Sequence, residues 1–204
     1  MKIADLQRKF PFPIKKPDVE KIDLGWCLVD EIQGAMNGNE TLIIEIGSFL
    51  GRSARMFCDM SSNCKVVCID RWELVDPNDE DIIGKNINNF KYIMNNMYDI
   101  FIANCWEYRD RIIPVKEDGV VGLMILRDLQ VEPDFIFVDG DHDEGGCSKD
   151  LAMCAACFPR TKILGHDWSW PGVKVSAEYI ARTKNYELRV LNRNSFLLTP
   201  RSII

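Results

Sequence analysis

The sequence predicts an α/β fold: a doubly wound, mostly parallel sheet with helices on both faces and an antiparallel hairpin at its C-terminal end. Three observations predict it. Short apolar, β-branched runs at 41–46, 65–70, 111–115, 134–139 and 161–164 alternate with segments whose apolar residues recur at helical spacing. Such alternation implies parallel strands joined by right-handed helical crossovers. The runs also lack polar alternation, as strands buried on both faces do. Lastly, the runs 186–191 and 195–199 are joined by Asn192-Arg193-Asn194, a linker suited to a hairpin.

Composition sets outer limits. A chain of 204 residues is most simply one domain with a full core, and 47% hydrophobic with 27% charged residues is ordinary for a globular protein. The net charge of −6 gives no general attraction to nucleic acid or an anionic membrane. The N-terminal lysines precede no apolar leader, and no run approaches the ~18 apolar residues that span a bilayer. A cytoplasmic protein acting on a small molecule is expected. Oligomeric state is not readable, and a homo-oligomer is compatible with the sequence. The eight cysteines are scattered through strands and helices. Cys154-x-x-Cys157 has no second pair at zinc-site spacing, so buried thiols are expected.

Residues 1–22 are basic and carry Pro11, Pro13 and Pro17, which disfavours regular structure and suggests an arm laid on a single domain at 23–204. Leu24, Cys27, Leu28, Ile32 and Met36 recur at helical spacing up to the stop Asn37-Gly38. The central strand then runs into Gly47-Ser48-Phe49-Leu50-Gly51, with a helix start behind it. Such a turn brings backbone close to a ligand and sets a helix N-terminus beside it. The dinucleotide pattern Gly-x-Gly-x-x-Gly is half met, because Phe49 takes the slot of the second glycine. That argues against NAD or FAD and is compatible with a nucleoside ligand that has no phosphates, with Glu45 free to meet an amine or a ribose.

The second strand ends at Asp70, 23 residues after Gly47, near the spacing at which a βαβ unit sets a carboxylate on a ribose. The acidic stretch Val75 to Asp81 is longer than most βα loops and has the position of a lid or specificity element. A helix follows over 86–102, with Phe90, Ile93, Met94, Met97 and Phe101 on one side, then a third strand followed by Asp118. The 120–129 helix leads to a fourth strand and Asp139-Gly140-Asp141-His142. Helix 147–158, a fifth strand, Gly165-His166-Asp167-Trp168 and helix 173–183 complete the pattern before the hairpin. In a doubly wound sheet the ligand crevice lies beyond the carboxyl ends of the strands. Gly47, Asp70, Asp118, Asp139 and Asp167 all fall there.

The ordered set Ile44-Glu45-Ile46-Gly47-Ser48-Phe49-Leu50-Gly51-Arg52-Ser53, Phe137-Val138-Asp139-Gly140-Asp141-His142, Lys149-Asp150-Leu151, Gly165-His166-Asp167-Trp168 and Pro171-Gly172-Val173 spans nearly the whole chain. It resembles the Rossmann-like class I S-adenosylmethionine-dependent methyltransferases, in the branch of methyltransferase domain family 24. The resemblance implies S-adenosylmethionine as cofactor. Glu45, Gly47, Ser48 and Ser53 would surround its methionine part, Asp70 would hold the ribose hydroxyls and Asp118 would lie beside the adenine amine, with Phe49, Gly51, Arg71 and Asp139 completing the cofactor-binding set. Related O-methyltransferases of catechols and macrolide sugars carry acidic ligands for a divalent ion at the ends of the fourth and fifth strands, which match Asp139 and Asp167. His166 stands where those families more often have an acid, giving the expected set Asp139, His166 and Asp167 for Mg²⁺ or Mn²⁺, although imidazole favours softer ions.

The only histidines, His142 and His166, fall at this edge, and with Asp139 they form the expected catalytic group. Histidine is the side chain best suited to a general base near neutral pH. Trp72, Trp168 and Trp170 fall there too, as packing residues or as surfaces that stack on adenine or a sugar. The leading reading is methyl transfer to an oxygen of a small polar metabolite or sugar, and its alternative is an inactive cofactor-binding or partner module of the same fold. Such a module would have no need of His142, His166 and Asp167. An NAD-dependent oxidoreductase is disfavoured by Phe49.

Overall fold

The computed structural model describes residues 3–22, 42–73 and 90–201. The helix expected after Ile22, the acidic stretch 74–84 and the start of the 86–102 helix lie outside the described residues. Seven strands form one sheet: β1 (Leu42–Ile46), β2 (Lys65–Asp70), β3 (Ile112–Lys116), β4 (Phe135–Val138), β5 (Lys162–His166), β6 (Tyr186–Val190) and β7 (Ser195–Pro200), in the order β3-β2-β1-β4-β5-β7-β6. Pairing is parallel from β3 through β5, and β7 is antiparallel to both β5 and β6. The chain leaves β1 in one direction for β2 and β3 and returns on its other side as β4. The strand order therefore reverses between β1 and β4, where a doubly wound sheet opens its crevice.

The sheet's period of two sorts its side chains into two cores. Leu42, Ile44, Ile46, Ile69, Ile136 and Val138 pack under Leu123 and Leu126 of α4 (Gly119–Asp128), Leu151 and Cys154 of α5 (Glu144–Cys157), and Val173, Ala177 and Ile180 of α6 (Pro171–Thr183). On the opposite face Ile43, Cys68, Phe135, Phe137 and Leu164 meet Ala54 and Phe57 of α2 (Arg52–Met60) and Ile93, Met97, Ile100 and Phe101 of α3 (Phe90–Cys105). The α3 helix is broken at Asn96, whose φ and ψ are −131° and 18°.

The N-terminal segment departs from expectation. Residues Ile3–Lys9 form a short helix, α1, with Leu6 fully buried, because the three prolines all lie beyond its last turn and do not remove its donors. The helix and the chain past it adhere to the body. Phe12 packs edge-on to Trp106 at 6.0 Å, the Gln7 amide donates to the Asp110 carbonyl, and Asn104 Nδ2 donates to the carbonyls of both Ile22 and Leu50. Cys154 is fully buried and Cys157 half-buried, both as free thiols that burial pushes up in pKa. Among the described residues no helix is long and apolar enough to cross a membrane.

Candidate active site at the carboxyl ends of the strands

The turn after β1 depends on backbone close to backbone. Gly47 has φ 82°, and a Cβ there would collide with the carbonyl of Asp139 and with Gly140, so the first turn and the end of β4 can meet only through a glycine. Gly51, at φ 78°, is the residue before α2 and has no room for a side chain against Cys105 and Phe101. Phe49 between them is left-handed despite its bulk, with φ 43°.

Three amides of this turn are bonded within the fold. Gly47 N–H donates to the Ile69 carbonyl (3.0 Å), Gly51 N–H to the Ser48 carbonyl (2.7 Å) and Phe49 N–H to Asp70 Oδ2 (2.8 Å). Asp70 also receives the Trp72 N–H on Oδ1 at 2.7 Å. Burial raises the pKa of its carboxyl, and those two amides together with the Arg71 charge oppose the rise. Arg71 and Asp118 face each other at 3.9 Å across the ends of β2 and β3, and Asp118 caps α4 by accepting from Val120 N–H.

Glu45 is the anomaly of the core. It sits in the middle of β1, fully buried, beside Cys68 on β2 and Phe137 on β4. Neither carboxylate oxygen has a partner in hydrogen-bonding geometry, and the Ser48 hydroxyl also lacks one. Burial pushes the Glu45 carboxyl up to about 7, an effect tempered by the nearby Ser48 and Ser53 hydroxyls and the Cys68 thiol. An unpaired carboxylate under a glycine turn is the feature a ligand ammonium would complete.

The second constellation joins β4 to β5. His166, the last residue of β5, is 7% exposed. Its Nδ1 lies 3.3 Å from Asp139 Oδ1 and 3.2 Å from Asp167 Oδ2, and neither ring nitrogen is in hydrogen-bonding geometry with any group. Burial lowers its pKa, but the two carboxylates outweigh burial and push it up to about 10. Asp167, left-handed at φ 55°, is held well below the usual carboxylate range, the two imidazoles outweighing its own burial. His142 Nε2 lies 2.6 Å from Asp167 Oδ2; a carboxylate can only accept, so Nε2 carries the proton and Nδ1 is left as the acceptor. Asp167 raises the His142 pKa against the effect of burial. The ring of Trp170, half exposed, stands 5.1 Å from that of His142.

The tryptophans thus divide. Trp72 is 4% exposed and packed on Tyr98 and Phe101, and Trp168 packs on Phe196, so Trp170 is the exposed ring of the three. Two features went unread in the sequence. Asp150 on α5, nearly buried, lies against Gly119 and Gly140, and burial with the charges of Asp141 and Asp118 pushes its carboxyl up to about 7. Lys149-Asp150-Leu151 was its only sign. Cys58, Cys68 and Cys105 lie close enough to Glu45 for its charge to raise their thiols further; strand register, not composition, would have revealed Cys68. A groove of about 490 Å³ on the outer face of α5 and α6 is lined by Glu144, Ser148, Val175, Glu178, Tyr179 and Arg182. None of the residues converging at the strand ends lines it.

Sheet order, glycine turn and strand-end acids define a class I S-adenosylmethionine-dependent methyltransferase fold. A methyltransferase domain model matches residues 44–168, more than half of the chain, and the protein belongs to that family. Solved structures agree on the fold. The S-adenosylhomocysteine-bound methyltransferase PaMTH1 of Podospora anserina superposes with TM-score 0.61 at 13% identity, over 88% of this chain and 80% of that one. A protein of Staphylococcus aureus, provisionally described as a caffeoyl-CoA O-methyltransferase, gives 0.58 at 14% identity over 98% and 93%. The O-methyltransferase of Bacillus cereus in complex with S-adenosylhomocysteine gives 0.52 at 18% over 84% and 76%. No curated protein matches the sequence significantly.

Proposed function

We propose that the protein transfers the methyl group of S-adenosylmethionine to a hydroxyl of a small polar metabolite or sugar, with a divalent cation held by Asp139, His166 and Asp167. One observation carries the cation: two carboxylate oxygens 3.3 and 3.2 Å from a buried imidazole nitrogen that bonds to neither. These three side chains offer ligand atoms all within 4.8 Å of one another. Two carboxylates this near one imidazole favour a positive charge between them; a metal ion there would take the place of the His166 proton, and an ion with bonds of roughly 2.1 Å has adjacent ligands about 3 Å apart. Two carboxylates and an imidazole suit Mn²⁺ better than Mg²⁺.

The donor-binding reading has its own support. The unpaired oxygens of Glu45 and the unpaired Ser48 hydroxyl fit the methionine ammonium. Gly47, Phe49, Gly51 and Ser53 frame that end, Asp70 takes the ribose hydroxyls, and the Arg71–Asp118 pair flanks the adenine. The solved relatives from Podospora anserina and Bacillus cereus hold S-adenosylhomocysteine, which makes the same ligand the natural probe here.

A bound cation would supply the Lewis acid that lowers the pKa of an alcohol. The remaining chemistry belongs to the chain. His142, its Nε2–H fixed by Asp167 at 2.6 Å, presents Nδ1 to take the acceptor proton, and Asp167 stabilises the imidazolium that results. Trp170 walls the acceptor side and excludes water, while the turn and Asp70 hold the donor for in-line attack.

Calorimetry with S-adenosylhomocysteine, with and without Mn²⁺ or Mg²⁺, tests both sites. Asp167→Asn should abolish metal dependence and turnover with little change in S-adenosylhomocysteine affinity. Full activity in EDTA would remove the cation from the scheme. The 2.6 Å His142–Asp167 contact favours a second reading in that event, in which this pair alone deprotonates the acceptor.

A further inference from the structure

We infer that Trp72 is a positioning residue for ribose recognition: its indole N–H locks the glycine turn onto Asp70 and so fixes the carboxylate that reads the sugar hydroxyls. The inference rests on the assignment of Asp70 to the ribose.

Three hydrogen bonds form a closed ring. Phe49 N–H donates to Asp70 Oδ2 (2.8 Å), Trp72 N–H to Asp70 Oδ1 (2.7 Å), and Trp72 Nε1–H to the Phe49 carbonyl (2.7 Å). The indole thus ties the end of β2 to Phe49, the residue whose own N–H is one of the donors to Asp70. Both residues that this bond joins sit in unfavourable backbone: Phe49 has φ 43° and Trp72 has φ 48°, where bulky L residues are rare. Such conformations persist only where surrounding structure over-determines them, and they concentrate at ligand clamps. Here the over-determination is visible. The indole ring is 4.6 Å from Phe101 and 5.0 Å from Tyr98, so its N–H is aimed by the α3 core.

The consequence for recognition lies in how the carboxylate is held. A carboxylate has about four acceptor sites; the Phe49 and Trp72 amides occupy one on each oxygen, the Ser48 amide adds to their effect, and the sites left open face a vicinal pair of hydroxyls. With both oxygens held, the carboxylate cannot rotate to meet a single hydroxyl or a differently spaced pair. Stacking of Trp72 on adenine is no part of this role, since the ring is buried.

The test compares wild type and Trp72→Phe by calorimetry with S-adenosylhomocysteine and with its 2′-deoxy analogue. Phenylalanine keeps a ring against Tyr98 and Phe101 and deletes only the donor; benzothienylalanine at position 72, with sulfur in place of N–H, keeps the whole ring shape should the first variant fold poorly. The expected result is an S-adenosylhomocysteine affinity about fivefold lower, the deoxy analogue within about twofold of wild type, and a preference for the 2′-hydroxyl reduced to match. Equal losses on both ligands, or a lower melting temperature with both affinities intact, would overturn the inference and leave Trp72 a packing residue. Wild-type protein that ignores the 2′-hydroxyl while binding S-adenosylhomocysteine would instead remove Asp70 from the ribose. No binding of either ligand to wild type would refute the donor site itself.

Discussion

Replacing Glu45 by glutamine should change how stability depends on pH. The carboxyl is fully buried without a hydrogen-bond partner and is raised from 4.5 to about 7. Its unfolded counterpart ionises near 4.5, so between that pH and 7 the folded state binds the extra proton, and stability falls as pH rises through the window. Above pH 7 the loss is complete. A shift of two and a half pH units at 1.36 kcal/mol each corresponds to about 3 kcal/mol. Glutamine cannot ionise, so Glu45→Gln should gain about 3 kcal/mol relative to wild type between pH 4 and pH 8. Urea denaturation of both proteins, ligand-free, at half-unit pH intervals measures it. The difference between the two curves is the quantity to read, because Asp150 titrates over a similar window in both and cancels. A difference that stays flat with pH would mean that Glu45 is paired or hydrated in the fold, and the reasoning about an ammonium site beneath the turn would fall with it. A second reading comes from the ligand. An ammonium docking at Glu45 re-ionises it, so S-adenosylhomocysteine binding near pH 6.5 should release about three-quarters of a proton in wild type, and the variant should lack that release.

Asp70→Ala should weaken S-adenosylhomocysteine binding by roughly 1.5–3 kcal/mol for each charged bond lost, and unchanged affinity in calorimetry would take Asp70 out of the site. Gly47→Ala should cost roughly 2–4 kcal/mol in urea denaturation, since a methyl group at φ 82° meets the Asp139 backbone; a stable, ligand-binding variant would show that the two loops can separate. The double variant Cys154→Ala with Cys157→Ala should lose about 1–3 kcal/mol of stability, read from denaturation, without change in activity. Stoichiometric zinc in the wild type, absent from that variant, would contradict the free thiols.

Elements that owe their shape to periodicity were legible before any coordinates. The β1 run from Leu42 to Ile46 reads as a doubly buried strand because it is one, Asp70 follows from counting forward from Gly47, and Asp118, Asp139 and Asp167 follow from the ends of their own apolar runs. Features that depend on the direction of a backbone amide were not. Nothing in Ser48-Phe49-Leu50 signals a left-handed Phe49, a conformation that sequence reasoning assigns to glycine, so the capture of Asp70 by the turn stayed hidden. Trp72 shows the same limit: tryptophan at a ligand edge reads equally as a stacking surface and as packing, and only the bond from its indole to Phe49 decides. The α1 helix was obscured by prolines that begin just after it. The burial of Glu45 among thiols needed the register that sets Cys68 opposite it, information that exists only between strands.

The last strand has a consequence for the order in which the protein is completed. β7 inserts between β5 and β6, its Ser195 opposite His166 and its Phe196 opposite Gly165, where the ring fills the space that a glycine leaves open. The histidine strand has β4 on one side and nothing on the other until β7 arrives. During synthesis the glycine turn, Asp70 and Asp139 can come together on the ribosome while the edge that carries His166 and Asp167 is still half-built. Under the proposed roles, the residues assigned to the donor, from Glu45 to Asp118, precede in the chain those assigned to the acceptor side, and a nascent chain that stops short of Ser195 lacks the strand that flanks His166.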